Sequence, residues 1–229
     1  GAGQLTYTSA TAFPTGGTIS SILRIDATGG NQILSNRTYG WAVEIYNNSG
    51  ASARTVTLGT AGSQTLTFSS NLTLNAANSQ SVTMQGATWD PTVNITGNLT
   101  GTSGGSAEAV TAPDAAATWT ITGNLSLTDI TWTAGAETIT MNGTSSNTID
   151  GGSATIYKLT IDPSSAATIT LQTADLTVSN FLTVETGDTL SIASSRTLTL
   201  SATSGSVLTL NGTISGAGRL TYTSSTTFP

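Results

Sequence analysis

The chain contains no cysteine and no histidine. Without cysteine neither a disulfide framework nor a thiolate metal site can form, and without histidine the commonest general base and metal ligand is missing. Asp, Glu, Lys and Arg together make up 8% of the 229 residues, against about 25% in an average soluble protein. These absences exclude most familiar active sites. We therefore predict that the chain is not an enzyme, has no catalytic residues and needs neither metal nor cofactor.

Basic side chains are also scarce, and the chain has no long apolar run. One lysine and five arginines are spread over a chain of net charge −6, whereas phosphate binding needs clustered Lys and Arg. No segment reaches the roughly 18 consecutive apolar residues of a membrane-spanning helix. We expect no nucleic-acid partner and no membrane span in this segment.

Apolar residues nevertheless form 37% of the chain, and over most of its length they alternate with polar residues, mainly threonine. Alternation with a period of two is typical of strands that bury one face. Disordered chains can also be polar, but they lack the apolar surface needed to offset the entropy of folding. The sequence therefore predicts a folded, elongated all-β domain whose surface is solvated by hydroxyl and amide groups.

The beginning and the end of the chain have nearly the same sequence. GAGQLTYTSATAFP at 1–14 and GAGRLTYTSSTTFP at 216–229 are identical at eleven positions, which chance does not plausibly produce. Long-period self-similarity is typical of repeat architectures. We interpret 1–215 as one β-solenoid repeat unit and 216–229 as the start of the next tandem copy, within a larger protein.

A shorter motif recurs inside this unit, in which two inward apolar residues flank an outward polar one. The series leads from Leu5 to Leu220 in ten steps, so that the mean step is roughly 21 residues, which lies within the range of known repeat architectures. The series comprises Leu5-Thr6-Tyr7, Leu23-Arg24-Ile25, Val43-Glu44-Ile45, Leu72-Thr73-Leu74, Val93-Asn94-Ile95, Trp119-Thr120-Ile121, Ile139-Thr140-Met141, Leu159-Thr160-Ile161, Leu176-Thr177-Val178, Leu198-Thr199-Leu200 and Leu220-Thr221-Tyr222.

This period predicts a parallel β-helix, or β-solenoid, in which each strand pairs with its equivalent one coil away. Residues that tolerate tight turns, such as those at Asp162-Pro163 and Asn211-Gly212, separate the strands and predict the corners of the coils. We expect about ten coils of roughly 21 residues and little or no helix. At about 4.8 Å per coil, each unit then forms a rod of about 48 Å.

Two stretches depart from the regular step. The Gly-, Ser- and Ala-rich run at 101–117 lengthens one coil, and we interpret it as a loop that protrudes from a corner; a tolerated insertion is favoured over a ligand-contacting role. The step between Val43 and Leu72 is the longest of the series, and the spacing alone does not place the register there.

Outward threonines recur at the central position of the motif and are expected to form one column along the rod. Regularly spaced hydroxyl and methyl groups could bind ice or a crystalline polysaccharide, but threonine is also a favoured residue at exposed strand positions. A second column beside the first would read Thr118, Thr138, Lys158, Asp175, Thr197 and Arg219, whose charges argue against ice. The candidate binding residues are Thr120, Thr140, Thr160, Thr177, Thr199 and Thr221.

Short strands such as Leu176-Thr177-Val178, with corners such as Asn211-Gly212-Thr213, resemble the repeats of large bacterial and archaeal surface proteins. These include filamentous-haemagglutinin-like adhesins and autotransporter passengers. The resemblance implies a right-handed parallel β-helix, secretion, and an extracellular location at the cell surface or in a secreted filament. It transfers no ligand and no catalytic residue.

The sequence leaves three functional hypotheses. The leading one is a structural, non-catalytic repeat of an extracellular surface fibre or adhesin stalk, whose partners are neighbouring copies of the same repeat, joined covalently or stacked end to end. The second is a surface-binding module for glycan, ice or cell surfaces that uses the outward threonines. The third, an enzyme of the pectin-lyase shape, would need a groove with clustered Asp and Arg, and the sequence offers none.

Overall fold

A computed structural model describes residues 3–9, 21–48, 52–59, 64–77, 82–85, 90–102, 108–111, 118–203 and 205–223. Over these ranges the chain is a parallel β-solenoid, and none of the residues is helical. The predicted fold class is therefore confirmed. The described coils make about seven turns, so the expected number of ten was too high. The right-handedness implied by the resemblance stays a prediction.

Twenty-five short strands follow one another through the described ranges. They are β1 (Gln4–Tyr7), β2 (Ile22–Asp26), β3 (Gln32–Leu34), β4 (Thr38–Tyr39), β5 (Val43–Asn47), β6 (Arg54–Leu58), β7 (Thr65–Phe68), β8 (Leu72–Ala76), β9 (Val82–Gln85), β10 (Thr92–Ile95), β11 (Leu99–Thr102), β12 (Glu108–Thr111), β13 (Thr118–Ile121), β14 (Leu125–Ser126), β15 (Ile130–Thr133), β16 (Thr138–Met141), β17 (Asn147–Asp150), β18 (Thr155–Ile161), β19 (Thr168–Leu171), β20 (Leu176–Val184), β21 (Thr189–Ile192), β22 (Thr197–Leu200), β23 (Leu208–Leu210), β24 (Thr213–Ser215) and β25 (Arg219–Tyr222).

These strands form three parallel sheets along the rod. Sheet A stacks β1-β2-β5-β8-β11-β14-β17-β19-β21-β24, sheet B stacks β3-β6-β9-β12-β15, and sheet C stacks β4-β7-β10-β13-β16-β18-β20-β22-β25, with β23 also paired to β20. A typical coil crosses sheets A, B and C in that order, as β5, β6 and β7 do. The long strand β20 pairs with β22 along its first part and with β23 along its last part.

The period-two alternation determines which side chains fill the interior. In β8 the side chains of Leu72, Leu74 and Ala76 are fully buried, whereas the residues between them are partly exposed. Removing such an aliphatic side chain from water stabilises the fold by roughly 1.5–3 kcal/mol. Stacked coils join these residues into one continuous core along the rod. A single coil has no partner for its apolar face, so the stack is the stable unit.

The recurring motif does not follow a single column. Its first four members lie in sheet A, whereas those from Val93 to Leu159 lie in sheet C. Leu159 then pairs with Leu182 and not with Leu176, the next member of the series. Alternation is the same on all three faces, so spacing alone does not reveal which face a motif occupies. A step of the series that leads from one sheet to another covers less than a full coil, so the number of steps exceeds the number of coils.

Coil length is also less uniform than the mean step of the motif suggests. Leu5 pairs with Leu23 across one of the short coils, whereas Val43 pairs with Leu72 across a much longer one. The latter pairing resolves the register between Val43 and Leu72, because it places β5 beside β8, with β6 and β7 on the other two sheets in between. Long coils reduce the number of turns that a unit of fixed length can form.

The run at 101–117 is not a simple protruding loop. Its first residues belong to β11, and β12 (Glu108–Thr111) pairs with β9 on one side and with β15 on the other. Segments 103–107 and 112–117 lie outside the described residues. The small residues therefore flank a strand of sheet B. The interpretation as a loop was wrong for β12, because backbone pairing on both sides outweighs the weak strand propensity of Glu and Ala.

The duplicated segment occupies two different sheets. β1 is the end strand of sheet A and pairs with β2, whereas β25, which has the same Leu-Thr-Tyr sequence, is the end strand of sheet C and pairs with β22. The division into a unit at 1–215 and a following copy at 216–229 stays a prediction.

Candidate functional site

The six candidate threonines lie in two columns instead of one. Thr120, Thr140 and Thr160 are paired in sequence, and the next residue of their column is Thr183. The other three form a separate column, in which Thr177 pairs with Thr199 and Thr199 with Thr221. The two columns arise because β20 is long enough to carry one position of each. The binding role of these residues stays a prediction.

The second column beside Thr120 and Thr140 is also different from the expected one. Lys158 pairs with Phe181 and not with Asp175, while Thr197 and Arg219 pair with each other farther along the rod. In the other direction, Thr65 pairs with Thr92, and Thr118 pairs with Thr138. Four consecutive strands of sheet C thus carry threonine in this column without a charged residue.

We call the resulting array the threonine patch. On each strand, its two residues are separated by one buried apolar residue and are themselves at least partly exposed. Neighbouring strands lie about 4.8 Å apart, and alternate residues on one strand are about 6.6 Å apart. The array therefore presents hydroxyl and methyl groups at regular intervals in two directions. The threonine patch consists of Thr65, Thr67, Thr92, Asn94, Thr118, Thr120, Thr138 and Thr140.

A column of asparagines lies at the corner that leads into sheet A. The backbone N–H of Asn98 donates to Asn71 Oδ1 at 2.9 Å, and the backbone N–H of Asn124 donates to Asn98 Oδ1 at 2.7 Å. Thr148 N–H then donates to Asn124 Oδ1 at 2.9 Å. Each side chain satisfies a backbone donor of the next coil, at a corner where the sheet pairing is interrupted.

This asparagine ladder was not identified from the sequence, although a signal was present. Each of its asparagines directly precedes a leucine that begins a strand of sheet A, at Asn71-Leu72, Asn98-Leu99 and Asn124-Leu125. Gly123 stands before the last of them, where a Cβ atom would lie 2.4 Å from Gly97 O and 2.5 Å from Asn98 Oδ1. Glycine is thus required for the close approach of adjacent coils.

We expect Asn98→Ala to lower the free energy of unfolding by about 1–3 kcal/mol, because it leaves the N–H of Asn124 without its acceptor. Urea denaturation followed by circular dichroism measures the change. Asn94→Ala is the matched control, since Asn94 is a partly exposed residue of β10, and substitutions of this kind usually stay within about 0.5 kcal/mol. Equal effects of the two substitutions would show that the ladder does not stabilise the stack.

A buried carboxylate holds the irregular part of β18. Glu137 is fully buried, and its Oε1 accepts hydrogen bonds from Trp132 Nε1 at 3.1 Å and from the backbone N–H of Tyr157 at 3.0 Å. Its Oε2 accepts from Gly135 N–H at 2.8 Å. Tyr157 lies where the pairing of β18 with β20 shifts register, so Glu137 supplies an acceptor at a bulge. These three hydrogen bonds tie Glu137 to the backbone and core around the bulge.

The outward face of sheet A near β2 carries the ion pair of Arg24 and Glu44. Arg24 Nε donates to Glu44 Oε2 at 2.6 Å, and Asn75 Nδ2 donates to the other oxygen at 2.7 Å. The Arg24 guanidinium also lies 4.0 Å from the centre of the Tyr46 ring. A shallow groove of about 270 Å³ adjoins Glu44. Arg24 and Glu44 thus neutralise each other, as in other ion pairs on protein surfaces.

Asp162, Glu185 and Asp188 lie at corners between strands. Burial raises the pKa of Asp188, and the nearby carboxylates of Asp162 and Glu185 raise the pKa further. Over the part of the chain that the structure describes, no group of three or more acidic residues is arranged to hold a metal ion.

The remaining basic residues are distributed along the strands. Lys158 lies in β18 and Arg219 in β25, whereas Arg54 begins β6; Arg37 and Arg196 directly precede β4 and β22.

Two of the three described tryptophans, Trp119 and Trp132, lie in the core. Trp119 is fully buried, as its inward position predicted, and its ring meets that of Trp132 edge to face at 5.2 Å. Trp41 is 46% exposed, and Trp89 lies outside the described residues. A platform of stacked tryptophans for sugar binding is therefore not formed by Trp41, Trp119 and Trp132.

Comparison with known proteins adds no relative. No protein-family model matches the chain, and neither the curated proteins nor the solved structures yield a match. The described residues contain no helix long and apolar enough to cross a membrane.

Proposed function

We propose that this chain is a non-catalytic structural segment of an extracellular surface fibre or adhesin stalk, which forms a long rod by stacking coils in tandem or end to end. The observation that carries the proposal is the unbroken parallel pairing from β1 to β24 in sheet A. In such a stack, each added coil lengthens the rod without changing its cross-section.

The ends of the stack support the same function. An unpaired strand edge is a template for another strand, and both β1 and β25 are end strands of their sheets among the described residues. Leu5 and Leu210, which lie on end strands, are 46% and 48% exposed. Large apolar side chains are thus exposed at the ends of the rod, where a neighbouring repeat would cover them.

The surface chemistry agrees with a location outside the cell. The described outward positions of sheet C are mainly threonine, so the rod is solvated by hydroxyl groups that do not depend on pH or salt. The absence of cysteine and the scarcity of charge leave few groups that react with oxidants or shift with ionic strength. An extended stalk at a cell surface benefits from both properties.

Small-angle X-ray scattering on a two-unit chain, positions 1–215 followed by positions 1–229, tests the proposal. Nine strand spacings separate β1 from β24 in the described sheet A, which corresponds to about 43 Å at about 4.8 Å each. The maximum dimension is expected to exceed that of the single chain by about 45 Å, with the same cross-sectional radius. A cross-section that grows with the second unit would contradict the rod.

The threonine patch favours a second candidate function, the binding of an ordered surface such as ice or crystalline polysaccharide. Its four strands present paired outward residues without a charge, which the sequence alone did not reveal. A regular array can match a regular lattice at many points at once, so that weak contacts add up.

We expect the double substitution Thr118→Lys and Thr140→Lys to reduce co-sedimentation with crystalline polysaccharide or adsorption to ice at least tenfold, because two charged side chains interrupt the array. Thr170→Lys, at a partly exposed position of β19 in sheet A outside the patch, is the control and should bind as the unsubstituted chain does. Equal loss in both variants would exclude the threonine patch as the binding surface, and no binding by the unsubstituted chain would leave the stalk as the function.

A further inference from the structure

The duplicated segment forms two strands of nearly the same sequence, β1 and β25, and within the described ranges each is paired along only one edge. β1 has a neighbour, β2, on the side of the following coil, whereas β25 has a neighbour, β22, on the side of the preceding coil. The opposite edge of each strand is the end of its sheet within the described ranges. A single strand with β22 along one edge and β2 along the other would therefore be paired on both edges.

The side chains fit this combination. In β25, Leu220 and Tyr222 pack against the core and pair with Leu198 and Leu200. In β1, the equivalent residues Leu5 and Tyr7 pair with Leu23 and Ile25. A strand with the sequence Leu-Thr-Tyr therefore accepts aliphatic residues on both of its neighbours.

A glycine gives independent support for a coil beneath β1. At Gly218, just before β25, a Cβ atom would lie 2.4 Å from Ala193 O, so that only glycine allows the coil below to approach. Gly3 is its equivalent in the first copy of the segment, and a Cβ atom there would meet nothing within 4 Å. Glycine at position 3 has no steric reason in the single chain, but it has one if a preceding copy places its Ala193 beneath it.

We propose that successive copies join by sharing this strand, so that β25 of one copy is β1 of the next and the following β2 stacks on it. This inference rests on the proposed stalk function and specifies its junction. The register follows from the two observed pairings: Thr197 lies beside Arg219, and Ile22 of the following copy lies beside Arg219 on its other edge.

At the junction, a sheet of one copy continues as a different sheet of the next copy. β25 belongs to sheet C, whereas the strand that stacks on it begins sheet A of the following copy. Sheet A of each copy therefore continues sheet C of the copy before it. The interaction surface is the edge of β25, and its partner is Ile22–Asp26 of a second copy of this chain.

Cysteine cross-linking in the two-unit chain tests this junction, because the chain has no cysteine of its own. Thr197→Cys in the first copy is combined with Ile22→Cys in the second. Two strand spacings, about 10 Å, separate these outward positions in the proposed junction, which a short bismaleimide spans. The matched control uses Thr213→Cys in place of Thr197→Cys, because Thr213 begins β24, the end strand of sheet A.

We expect the Thr197 pair to cross-link at least tenfold faster than the Thr213 pair. Faster reaction of the Thr213 pair would overturn the proposal, since sheet A would then continue as sheet A. Slow reaction of both pairs would also overturn it, because the units would not share a strand. Small-angle X-ray scattering from the same molecules distinguishes failure of the junction from failure of the stalk function. A rod of doubled length in which the Thr213 pair reacts faster refutes the junction alone. A cross-section that grows with the second unit refutes the stalk.

Discussion

Trp119→Ala is expected to lower the free energy of unfolding by about 3–5 kcal/mol, the range for truncating a large aromatic residue in a core. Trp119 is fully buried between coils and meets the Trp132 ring at 5.2 Å. Its removal leaves a cavity that reaches the coils above and below, because neighbouring residues of the column are Val93 and Ile139. Urea denaturation, monitored by far-ultraviolet circular dichroism, gives the change.

Trp41→Ala is the control for this experiment, because Trp41 is 46% exposed. Its removal should change stability by no more than about 0.5 kcal/mol. Trp119→Phe provides a second comparison: the indole Nε1 of Trp119 is buried without a hydrogen-bond partner, so phenylalanine removes an unsatisfied donor while keeping most of the ring. We expect Trp119→Phe to cost less than Trp119→Ala. A loss below about 1 kcal/mol for Trp119→Ala would mean that the core is not packed around this ring.

Glu137→Ala is expected to destabilise the rod by about 3–5 kcal/mol, because three buried or partly buried N–H groups lose their acceptor at about 1–3 kcal/mol each. The donors are Trp132 Nε1 and the backbone of Gly135 and Tyr157. Glu137→Gln keeps the shape of the side chain, and its amide oxygen in the place of Oε1 still accepts from Trp132 and Tyr157, whereas its amide NH₂ faces the N–H of Gly135. Its effect should therefore lie between those of Glu137→Ala and the unsubstituted chain, and both variants are measured by thermal and urea denaturation.

Glu185→Gln is the matched control for the charge. Glu185 is a partly exposed corner residue that accepts from Asn211 Nδ2 at 3.4 Å, and glutamine can preserve this contact. Its substitution should stay within about 0.5 kcal/mol of the unsubstituted chain. If Glu137→Gln were equally mild, the buried carboxylate would not be what holds the bulge of β18.

The strands and the solenoid could be predicted because alternation is a local property. Leu72, Leu74, Trp119 and Ile121 all lie inward as their spacing indicated. The choice of face could not be predicted, since Leu72 and Val93 carry the same pattern and yet lie in sheets A and C. Only backbone pairing between coils distinguishes them, and the sequence contains no direct record of that pairing.

The candidate surface was affected by the same ambiguity. If Thr177 belonged to the column of Thr160, Asp175 would lie next to Lys158 and charges would interrupt the array. The pairing of Thr160 with Thr183 removes that error and shows Thr65 and Thr92 on the same face. The asparagine ladder was missed because its hydrogen bonds join residues that are 26 and 27 positions apart, beyond the reach of turn rules that consider neighbours only.

The placement of the basic residues has a consequence for digestion. A trypsin-like protease binds several extended residues around the bond after lysine or arginine, so the substrate must leave its own sheet first. Each of the six possible cleavage points lies within a strand or directly before one, and releasing it would require the unravelling of at least one coil. In a medium rich in secreted proteases, the intact stack is therefore a poor substrate, and its survival depends on how rarely a whole coil opens.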